Sequence, residues 1–508
     1  MHFSFNQVET LPKLAWCVEI EKEKKEIQVF HGPWVEVGKN FFVEGAWDRP
    51  FTETNLESSI LMGSGARIVD DKIIFSTPSH VLDRIYVIYS GVRLYISNSM
   101  IFLLKKSGHQ LDLNYVFYHT DIMSIRHGIK KYVRNIPCVN GNKIIFYCYC
   151  NLEINSELQI KESEKVIPPE FTTFNSYRKF LVDCIKKLEE NANSEYRKIR
   201  YTPLVTISSG YDSPACAVLV KEVGCEDAVT VRDARQRGYY DAGTEIGEML
   251  GLKVREYNRR DYMRYKGLPE AEFVAVGDLG QDLVWAPLEP DFHQKIVFTG
   301  YVGGGIWERI ISDIRREPIK HDSSGCSLTE FRLRVGFIHV PIPLLGCINL
   351  PSINQISNSE EMRPWSIRKR YDRPIPRRII EEKGIDRKKF AQHKKAITVL
   401  LNRDYSLKSQ MKPESYSSFN KYYKKNIRKV LWIKYVFHKF LFILYVLFYY
   451  ADKFCSKVGL PINIPNMIPW RFKESPGKPS YLIHWGISKI ENRYEIAHQL
   501  SKTKKLAI

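Results

Sequence analysis

The sequence predicts an α/β protein: a doubly wound parallel sheet, preceded by a β-rich domain and followed by a basic, largely helical extension. Strand-like and helix-like runs alternate between residues 202 and 257, a pattern typical of parallel strands joined by crossover helices. Short β-rich runs separated by turns fill residues 60–149. Clusters of Lys and Arg concentrate in the C-terminal third. A chain of 508 residues has room for roughly two to four domains.

The charge balance and the cysteines narrow the class of protein. The chain carries 76 Lys and Arg against 57 Asp and Glu, which suits a polyanion, an anionic membrane surface or a phosphorylated substrate without choosing among them. Ten cysteines are scattered with no CxxC pair, so we expect a reduced, cytoplasmic protein with no structural zinc. The first five residues lack the features of a signal peptide, and export is not expected.

The N-terminal region predicts a β-rich domain over residues 1–165. Its strand-like runs are Arg67–Val69, Lys72–Phe75, Arg84–Tyr89, Val92–Ser97 and Lys143–Cys148. The polar stretch 151–169 ends in two prolines, which favours a stiff connection and a domain boundary there. We therefore expect a second domain over residues 170–400 and a basic helical extension over residues 401–508.

The second domain begins with an amphipathic helix for which Ser176 is the expected N-cap. The elements that follow alternate in type: strand Thr202–Ile207, helix Pro214–Val223, strand Ala228–Arg232, helix Asp241–Leu250, strand Lys253–Tyr257 and, further on, strand Lys295–Phe298. Gly224 and Gly251 are the expected helix stops. This order indicates a parallel sheet whose ligand crevice lies at the carboxyl ends of its strands.

The turn after the first of these strands, Ser208–Ser213, carries the strongest functional signal. It consists of Ser208, Ser209, Gly210, Tyr211, Asp212 and Ser213. Hydroxyl groups and backbone N–H groups at the positive end of a helix hold anionic oxygens well, and Asp212 suggests a cation beside them. The turn fits neither the Walker pattern nor the dinucleotide GxGxxG pattern. An ordinary polar turn, in which Asp212 only favours the helix N-terminus electrostatically, remains the alternative.

This segment resembles the pyrophosphate-binding loop (PP-loop) of the asparagine synthetase family and of other N-type ATP pyrophosphatases, whose pattern is Ser-Gly-Gly-x-Asp-Ser. Here Ser209 replaces the first glycine. The resemblance implies an adenine nucleotide α-hydrolase-like fold in which the loop holds the β and γ phosphates of ATP. It also implies that Asp212 helps to hold Mg²⁺.

Later segments extend the resemblance in the same order along the chain. Val231 matches the position that lies against the adenosine, and Thr299 and Gly300 begin a second glycine-rich loop. The segments 371–379 and 390–396 resemble the part of the family that brings a lysine to the α-phosphate. Lys394 is preferred for this role over Lys395, although a solvated surface charge is the alternative.

Two departures from the family pattern bear on activity. The family carries an Ntn-type α+β glutaminase domain whose N-terminal cysteine is the nucleophile, whereas this chain begins Met1-His2. We therefore expect a glutaminase-like domain that does not hydrolyse glutamine. The second glycine-rich loop reads Gly303-Gly-Gly305 where the family has a metal-binding acid, and Glu308 is the nearest carboxylate along the chain. The resemblance thus implies ATP binding more firmly than it implies catalysis.

The expected function is that of an ATP-dependent, AMP-forming ligase that activates a carboxylate as an acyl-adenylate and transfers it to an amine or to ammonia. ATP and Mg²⁺ are the expected cofactors. A non-catalytic ATP-binding regulatory or assembly protein is the first alternative, and a nucleic-acid-modifying relative is a second. Nucleic-acid binding is not expected, because no recognisable nucleic-acid fold or stacking motif accompanies the basic clusters.

The C-terminal extension contains the uninterrupted apolar run Phe440–Ala451, inside a basic region over residues 421–451 that we expect to contact a protein partner or an anionic membrane surface. Twelve residues are fewer than the about 20 that a spanning helix needs. The run predicts a buried or partner-facing helix, with an interfacial helix and a membrane span as alternatives. We therefore expect a cytoplasmic protein, with association with a membrane surface as the alternative.

Overall fold

The computed structural model describes residues 1–58, 60–236, 238–317, 324–369, 371–427, 432–457 and 477–496. The side chains of Lys434 and His438, upstream of the apolar run, lie outside those described. The described chain is of mixed α/β content, with two β-rich sheets at the N-terminus and a parallel sheet after them.

The N-terminal region is a β-sandwich with two short helices. Its strands are β1 (His2–Gln7), β2 (Trp16–Glu21), β3 (Glu26–His31), β4 (Glu36–Gly38), β5 (Phe41–Trp47), β6 (Leu61–Val69), β7 (Lys72–Ser76), β8 (Ile85–Ser90), β9 (Arg93–Ser97), β10 (Asn135–Pro137), β11 (Lys143–Tyr147), β12 (Cys150–Ile154) and β13 (Ile160–Glu164). Helices α1 (Met100–Ser107) and α2 (Tyr118–Ile122) lie between β9 and β10. The strand-like runs singled out from the sequence begin at Arg67, whereas β1–β5 of the same region lie before residue 60.

Within the described chain, seven strands form one sheet in the order β1-β3-β2-β9-β8-β11-β10, and six form the other in the order β13-β12-β7-β6-β5-β4. The sheets pack face to face through alternating apolar residues. Trp16 of β2 reaches across to Phe42 and Phe75 of the other sheet, with ring centroids 5.1 and 5.9 Å apart. The sandwich ends at Glu164, close to the expected boundary at residue 165.

The second region is a parallel sheet. Its strands are β14 (Thr202–Thr206), β15 (Asp227–Val231), β16 (Lys253–Tyr257), β17 (Lys295–Thr299) and β18 (Ile338–Pro341), and its helices are α3 (Phe174–Ala192), α4 (Asp212–Lys221), α5 (Thr244–Met249), α6 (Pro269–Val274), α7 (Glu289–Phe292), α8 (Gly303–Ile306), α9 (Thr329–Val335), α10 (Leu350–Ser357) and α11 (Pro374–Glu381). The five described strands pair in parallel in the order β16-β15-β14-β17-β18. The predicted parallel sheet is therefore confirmed.

Both faces of this sheet are covered. Leu204 and Val205 are neighbours on β14 and point to opposite faces, as successive strand residues do. Val205 packs in the cluster that contains α3 and α4, and Leu204 packs in a second cluster with Trp285 and Phe292. Burial on both faces explains the apolar runs Ala228–Val229 in β15 and Ile296–Phe298 in β17. It also establishes the doubly wound arrangement.

Helix boundaries show where local signals were misleading. Thr173, not Ser176, is the N-cap of α3, because Thr173 accepts a hydrogen bond from the Ser176 N–H while Ser176 completes a capping box from the third helical position. Helix α4 begins at Asp212, two residues before Pro214. Gly224 and Gly251 have φ angles of 95° and 67°, the left-handed conformation that ends a helix and favours glycine.

The C-terminal extension is helical over its described residues: α12 (Asp404–Gln410), α13 (Pro413–Ile427), α14 (Trp432–Lys457) and α15 (Leu482–Ile490). Helix α15 is part of the main body, where Trp485 is fully buried and packs against Phe419 of α13 at 5.8 Å between ring centroids. Gly486 allows α15 to approach α6 closely, because an added Cβ would lie 2.6 Å from the Ala271 carbonyl oxygen. Among the described residues no helix is sufficiently long and apolar to cross a bilayer.

Candidate functional site

The strand order places a crevice between β14 and β17. The chain runs outward from β14 to β16 on one side and from β17 to β18 on the other, so the loops after β14 and β17 diverge at this point. Open α/β sheets bind ligands at the point where the strand order changes direction, which here lies between β14 and β17. The two loops touch, because a Cβ added at Gly300 would lie 2.6 Å from the Ser213 backbone nitrogen. Glycine is therefore required at position 300 for the loops to meet.

A cavity of about 370 Å³ opens at this crevice. Residues from both loops, from the end of β15 and from residues 394–398 line it. Nine of the ten residues singled out from the sequence are among them: Ser208, Gly210, Tyr211, Asp212, Ser213, Val231, Thr299, Gly300 and Lys394. The tenth, Ser209, belongs to the same turn. Residues as far apart in the sequence as Ser208 and Lys394 thus converge on one cavity.

Hydroxyl groups organise the turn after β14. The Ser208 and Ser213 Oγ atoms are 2.8 Å apart, and the Gly210 N–H donates to Ser208 Oγ at 3.2 Å. Ser209 donates to Asp241 Oδ1 at 3.0 Å and accepts from Lys395 Nζ at 2.7 Å. Burial raises the pKa of Asp241, while the Ser209 hydrogen bond and Lys395 act in the opposite direction. The turn therefore has a fixed shape in which Ser208 and Ser213 face the cavity.

Tyr211 anchors this turn to α11. Its ring packs against that of Tyr371 with centroids 4.9 Å apart, and its hydroxyl accepts a hydrogen bond from Arg377. Burial raises the pKa of Tyr211. Because the phenol is occupied in this way, the contribution of Tyr211 to a ligand comes mainly from its position at the start of α4.

Val231 and Thr299 form part of the wall. Val231, at the end of β15, is only 6% exposed and presents an apolar surface together with Trp285 and Ile397. Such a surface suits the flat ring of a base. The Thr299 hydroxyl lies 2.9 Å from His339 Nε2, a hydrogen bond that the sequence did not indicate. Thr299 therefore lines the cavity with its hydroxyl already engaged.

Asp212 forms an ion pair with Arg373, which precedes α11. The arginine side chain is 2% exposed and the Asp212 side chain 18%. Although burial alone would lower it, the neighbouring Asp212 carboxylate holds the pKa of Arg373 above its ordinary value. The guanidinium also lies against the second loop, since a Cβ at Gly304 would be 2.6 Å from Arg373 Nη2. Arg373 is thus a fixed positive charge between the two loops.

The surroundings of Asp212 do not fit the Mg²⁺ ion that the family resemblance implies. Oδ2 faces Arg373, while Oδ1 is buried without a hydrogen-bond partner among the described residues. Gly303 covers that side, because an added Cβ would lie 2.7 Å from Oδ1. Magnesium binds at about 2.0–2.1 Å and keeps several waters, so it needs open space around its carboxylate. In the described part of the chain, no cluster of three or more His, Cys, Asp or Glu side chains suits a metal.

The two candidate lysines have different environments. Lys395 Nζ donates to Ser209 Oγ at 2.7 Å and to the Tyr240 carbonyl oxygen at 2.6 Å, which fixes it in the wall. Lys394 is exposed, lines the same cavity and makes no hydrogen bond or ion pair with a described residue. Its Nζ lies 5.9 Å from the centre of the Tyr371 ring. The preference for Lys394 over Lys395 as the phosphate ligand stays a prediction.

Sequence reasoning missed two arginines at the site. Arg373 lies within a segment that the sequence singled out as a whole, yet its pairing with Asp212 joins residues 161 positions apart. Arg235 lines the cavity and donates to Thr398 Oγ1 at 3.3 Å. The only signal in the sequence for either arginine was its position in or near a segment that resembles the asparagine synthetase family.

Comparison with known proteins adds no relative. A scan against protein-family models and a search of curated proteins both returned no match. The interpretation of the site therefore rests on its residues, their geometry and the motif resemblance.

Proposed function

We propose that this chain is an ATP-dependent, amide-forming ligase that binds ATP in the cavity between β14 and β17. A carboxylate oxygen of the substrate forms a bond to the α-phosphorus, and the bond from that phosphorus to the bridging oxygen breaks, so that pyrophosphate leaves with the electron pair. An amine or ammonia then attacks the acyl carbon and displaces AMP, and its proton passes to solvent. The convergence of the predicted loop residues on one cavity is the observation that carries this proposal.

We infer a different role for the residues at each end of the cavity. The N-terminus of α4 and the hydroxyls of Ser208 and Ser213 suit the leaving pyrophosphate, because helix N-termini and hydroxyl donors favour anions. Val231 belongs to an apolar wall that suits the adenine. Lys394, which makes no hydrogen bond or ion pair with a described residue, is proposed to stabilise charge that develops at the α-phosphate.

Arg373 supplies positive charge where the family would use a metal. It neutralises Asp212 within the loop, so the site can accept an anionic triphosphate without a protein-bound magnesium ion. ATP binding is therefore expected to persist when divalent cations are chelated.

Nitrogen is expected to come from ammonia or from a second substrate's amine. Nine of the ten cysteines are buried. Burial raises the pKa of Cys138 and of Cys148 to about 11, and it also raises the pKa of Cys17. A thiol in this state is a poor nucleophile at neutral pH, because the thiolate is the reactive form. This agrees with the expectation that the N-terminal domain does not release ammonia from glutamine.

A non-catalytic nucleotide-binding protein is the second candidate, and the ion pair between Arg373 and Asp212 favours it. In that case ATP binding would control assembly or conformation. The pair and the packed Gly303 remove the acidic metal site on which the family resemblance places catalysis.

Pyrophosphate release distinguishes the two candidates. The full chain is incubated with ATP, aspartate or other small carboxylates, and ammonium, and pyrophosphate and AMP are measured together. Equal release of both, lowered about 100-fold by Lys394→Gln and retained by Asp183→Ala on the exposed face of α3, supports the ligase. ATP binding without release, in the presence and absence of Mg²⁺, supports the binding protein.

A further inference from the structure

Helix α14 exposes a continuous apolar stripe. Six side chains at intervals of four, three, four, three and four residues are between 40% and 70% exposed: Val436, Phe440, Ile443, Leu447, Tyr450 and Phe454. Large apolar side chains exposed singly are normal on a protein surface, but a contiguous row marks an interaction surface. We call this row the α14 stripe.

The α14 stripe is the reverse of what a surface helix of a globular domain presents. Such a helix turns its apolar face inward and its charged face to water. Here Leu444 and Val446, between stripe residues, are partly covered, whereas the stripe residues are exposed, as are Phe437 and Tyr449 beside them. The sequence predicted a buried or partner-facing helix here, and burial within the chain is wrong for the stripe residues.

The charged positions of α14 avoid the stripe. On a helical wheel with about 100° per residue, the stripe occupies an arc of roughly 80°. All ionisable Lys, His and Asp positions of the helix fall within a separate arc of roughly 140°: Lys434, His438, Lys439, Asp452, Lys453 and Lys457. A basic arc beside an apolar arc is the sequence pattern of a helix that lies at a membrane interface.

The region around α14 has the charge that an anionic leaflet would attract. Residues 405–457 contain eleven Lys or Arg and two Asp or Glu. Basic residues near a surface of acidic lipid are attracted to it within about a Debye length, and each adds to binding. This charge complementarity favours lipid over an uncharged protein groove.

A helical partner fits the stripe less well. The stripe spans 19 residues, short of the three to four heptads that indicate a coiled coil. The residues that flank the stripe include the basic Lys439 and Lys453 but no acidic residue that could pair with these lysines in a second copy of the helix. A broad apolar face of this kind suits a flat surface.

We propose that α14 is an interfacial helix that inserts the α14 stripe into the acyl boundary of an anionic membrane, with its basic arc toward the lipid headgroups. The helix lies along the surface and does not span it, which agrees with the absence of a spanning helix among the described residues. This proposal is independent of the chemistry at the ATP cavity.

Vesicle co-sedimentation of the full chain tests the proposal. The probes are vesicles of phosphatidylcholine alone and vesicles of phosphatidylcholine mixed with phosphatidylserine. We expect sedimentation with the mixed vesicles that weakens in high salt, and little with phosphatidylcholine alone. The variant Phe440→Ser/Leu447→Ser is expected to bind at least about tenfold more weakly, because it removes two buried apolar anchors.

A matched control separates the stripe from general surface hydrophobicity. Tyr196→Ser/Ile310→Ser removes two side chains that are 68% and 67% exposed elsewhere on the chain and should leave binding unchanged. Failure of the wild-type chain to sediment with acidic vesicles would overturn the proposal, as would equal binding by the stripe variant. A dimer in light scattering that the stripe variant dissociates, without vesicle binding, would assign the stripe to a second copy of the chain instead.

Discussion

Two buried arginine–carboxylate pairs in this molecule have the same chemistry and different surroundings. Arg332 lies between Glu44 and Asp83, with Nη1 2.6 Å from Glu44 Oε2 and Nε 3.3 Å from Asp83 Oδ2. Both carboxylates accept further hydrogen bonds, from Ser64, Asn98 and Thr329. Arg373 reaches only one oxygen of Asp212, and the other oxygen has no partner among the described residues.

We interpret the Arg332 cluster as structural and the Arg373–Asp212 pair as part of the proposed ligand site. The cluster around Arg332 joins the β-sandwich to α9 and has its carboxylate hydrogen bonds satisfied, which is what a buried charge needs for stability. In the pair around Arg373, Asp212 lines the cavity and one of its carboxylate oxygens has no hydrogen-bond partner among the described residues, which is the kind of buried polar atom that calls for a functional explanation. Substitutions should therefore affect folding at the first pair and ligand binding at the second.

The largest expected effect is on stability, at the Arg332 cluster. Arg332→Met leaves Glu44 and Asp83 buried without their counter-charge and should lower the free energy of unfolding by about 3–5 kcal/mol. Urea unfolding measures this change. Arg93→Met, which removes an exposed ion pair with Glu19 and Glu21, should cost less than about 1 kcal/mol. Equal losses of unfolding free energy in the two variants would show that the buried ion pairs of Arg332 stabilise the fold no more than an exposed ion pair.

A pH dependence comes from Glu330, next to this cluster. Burial raises the pKa of Glu330 from 4.5 to about 7, although Tyr494 and Ser99 donate hydrogen bonds to it. The folded state therefore holds a proton that the unfolded state releases, so this stability is complete below pH 4.5 and is lost as the pH rises to about 7.

Glu330→Gln should remove that part of the pH dependence, worth at most about 3 kcal/mol. Relative to wild type, the variant should gain stability between about pH 4.5 and about pH 8, as measured by unfolding midpoints at both pH values. A difference between the two proteins that stays constant with pH would exclude this role for Glu330.

Near the Arg373–Asp212 pair, we expect Lys394 to act in the reaction and Lys395 to hold the shape of the binding loop. Lys394→Gln is expected to lower the rate of pyrophosphate release by about 100-fold, the order of loss seen when a group that stabilises transition-state charge is removed. ATP affinity should fall much less. Lys395→Gln instead releases the Ser209 hydroxyl and should weaken ATP affinity, as measured by calorimetry. The reverse pattern would exchange their roles.

Gly303 tests how tightly the second loop packs on Asp212. A Cβ at this position would lie 2.4 Å from Asp212 Cγ, so Gly303→Ala must displace the carboxylate or the loop. We expect ATP affinity to fall by about tenfold, equivalent to about 1.4 kcal/mol, because overpacking of this kind costs roughly 1–3 kcal/mol. Unchanged ATP affinity in calorimetry would mean that the loop is free to move.

The smallest expected effect is that of divalent metal on binding. Because Arg373 already neutralises Asp212, ATP should bind with the same affinity, within about threefold, in EDTA and in MgCl₂. Fluorescence titration with an ATP analogue measures both conditions. Binding that occurs only with Mg²⁺ would contradict the assignment of Arg373 while leaving the ATP site itself intact.

The sequence predicted the parallel strands well because each strand is marked by a short run of apolar and β-branched residues within its own segment. The bounds of β16, Lys253–Tyr257, match the expectation, and the expected phosphate loop Ser208–Ser213 forms the turn before α4 and the first two residues of that helix. The N-cap of α3 was misplaced because Thr173 and Ser176 both take part in one capping box. Residue type alone does not rank two such candidates.

Long-range features were not predictable in the same way. The pairing of Arg373 with Asp212 depends on how α11 packs against α4, and the engagement of Thr299 with His339 depends on neighbouring strands. The outward orientation of the α14 stripe likewise depends on which side of the helix the rest of the chain covers. These are properties of tertiary packing.

A crystal structure of the full chain with bound ATP tests the central claim most directly. The account predicts the β and γ phosphates against Ser208–Ser213, the adenine beside Val231, and Lys394 Nζ within hydrogen-bonding distance of the α-phosphate. ATP bound away from the crevice between β14 and β17, or an α-phosphate out of reach of Lys394, would contradict it.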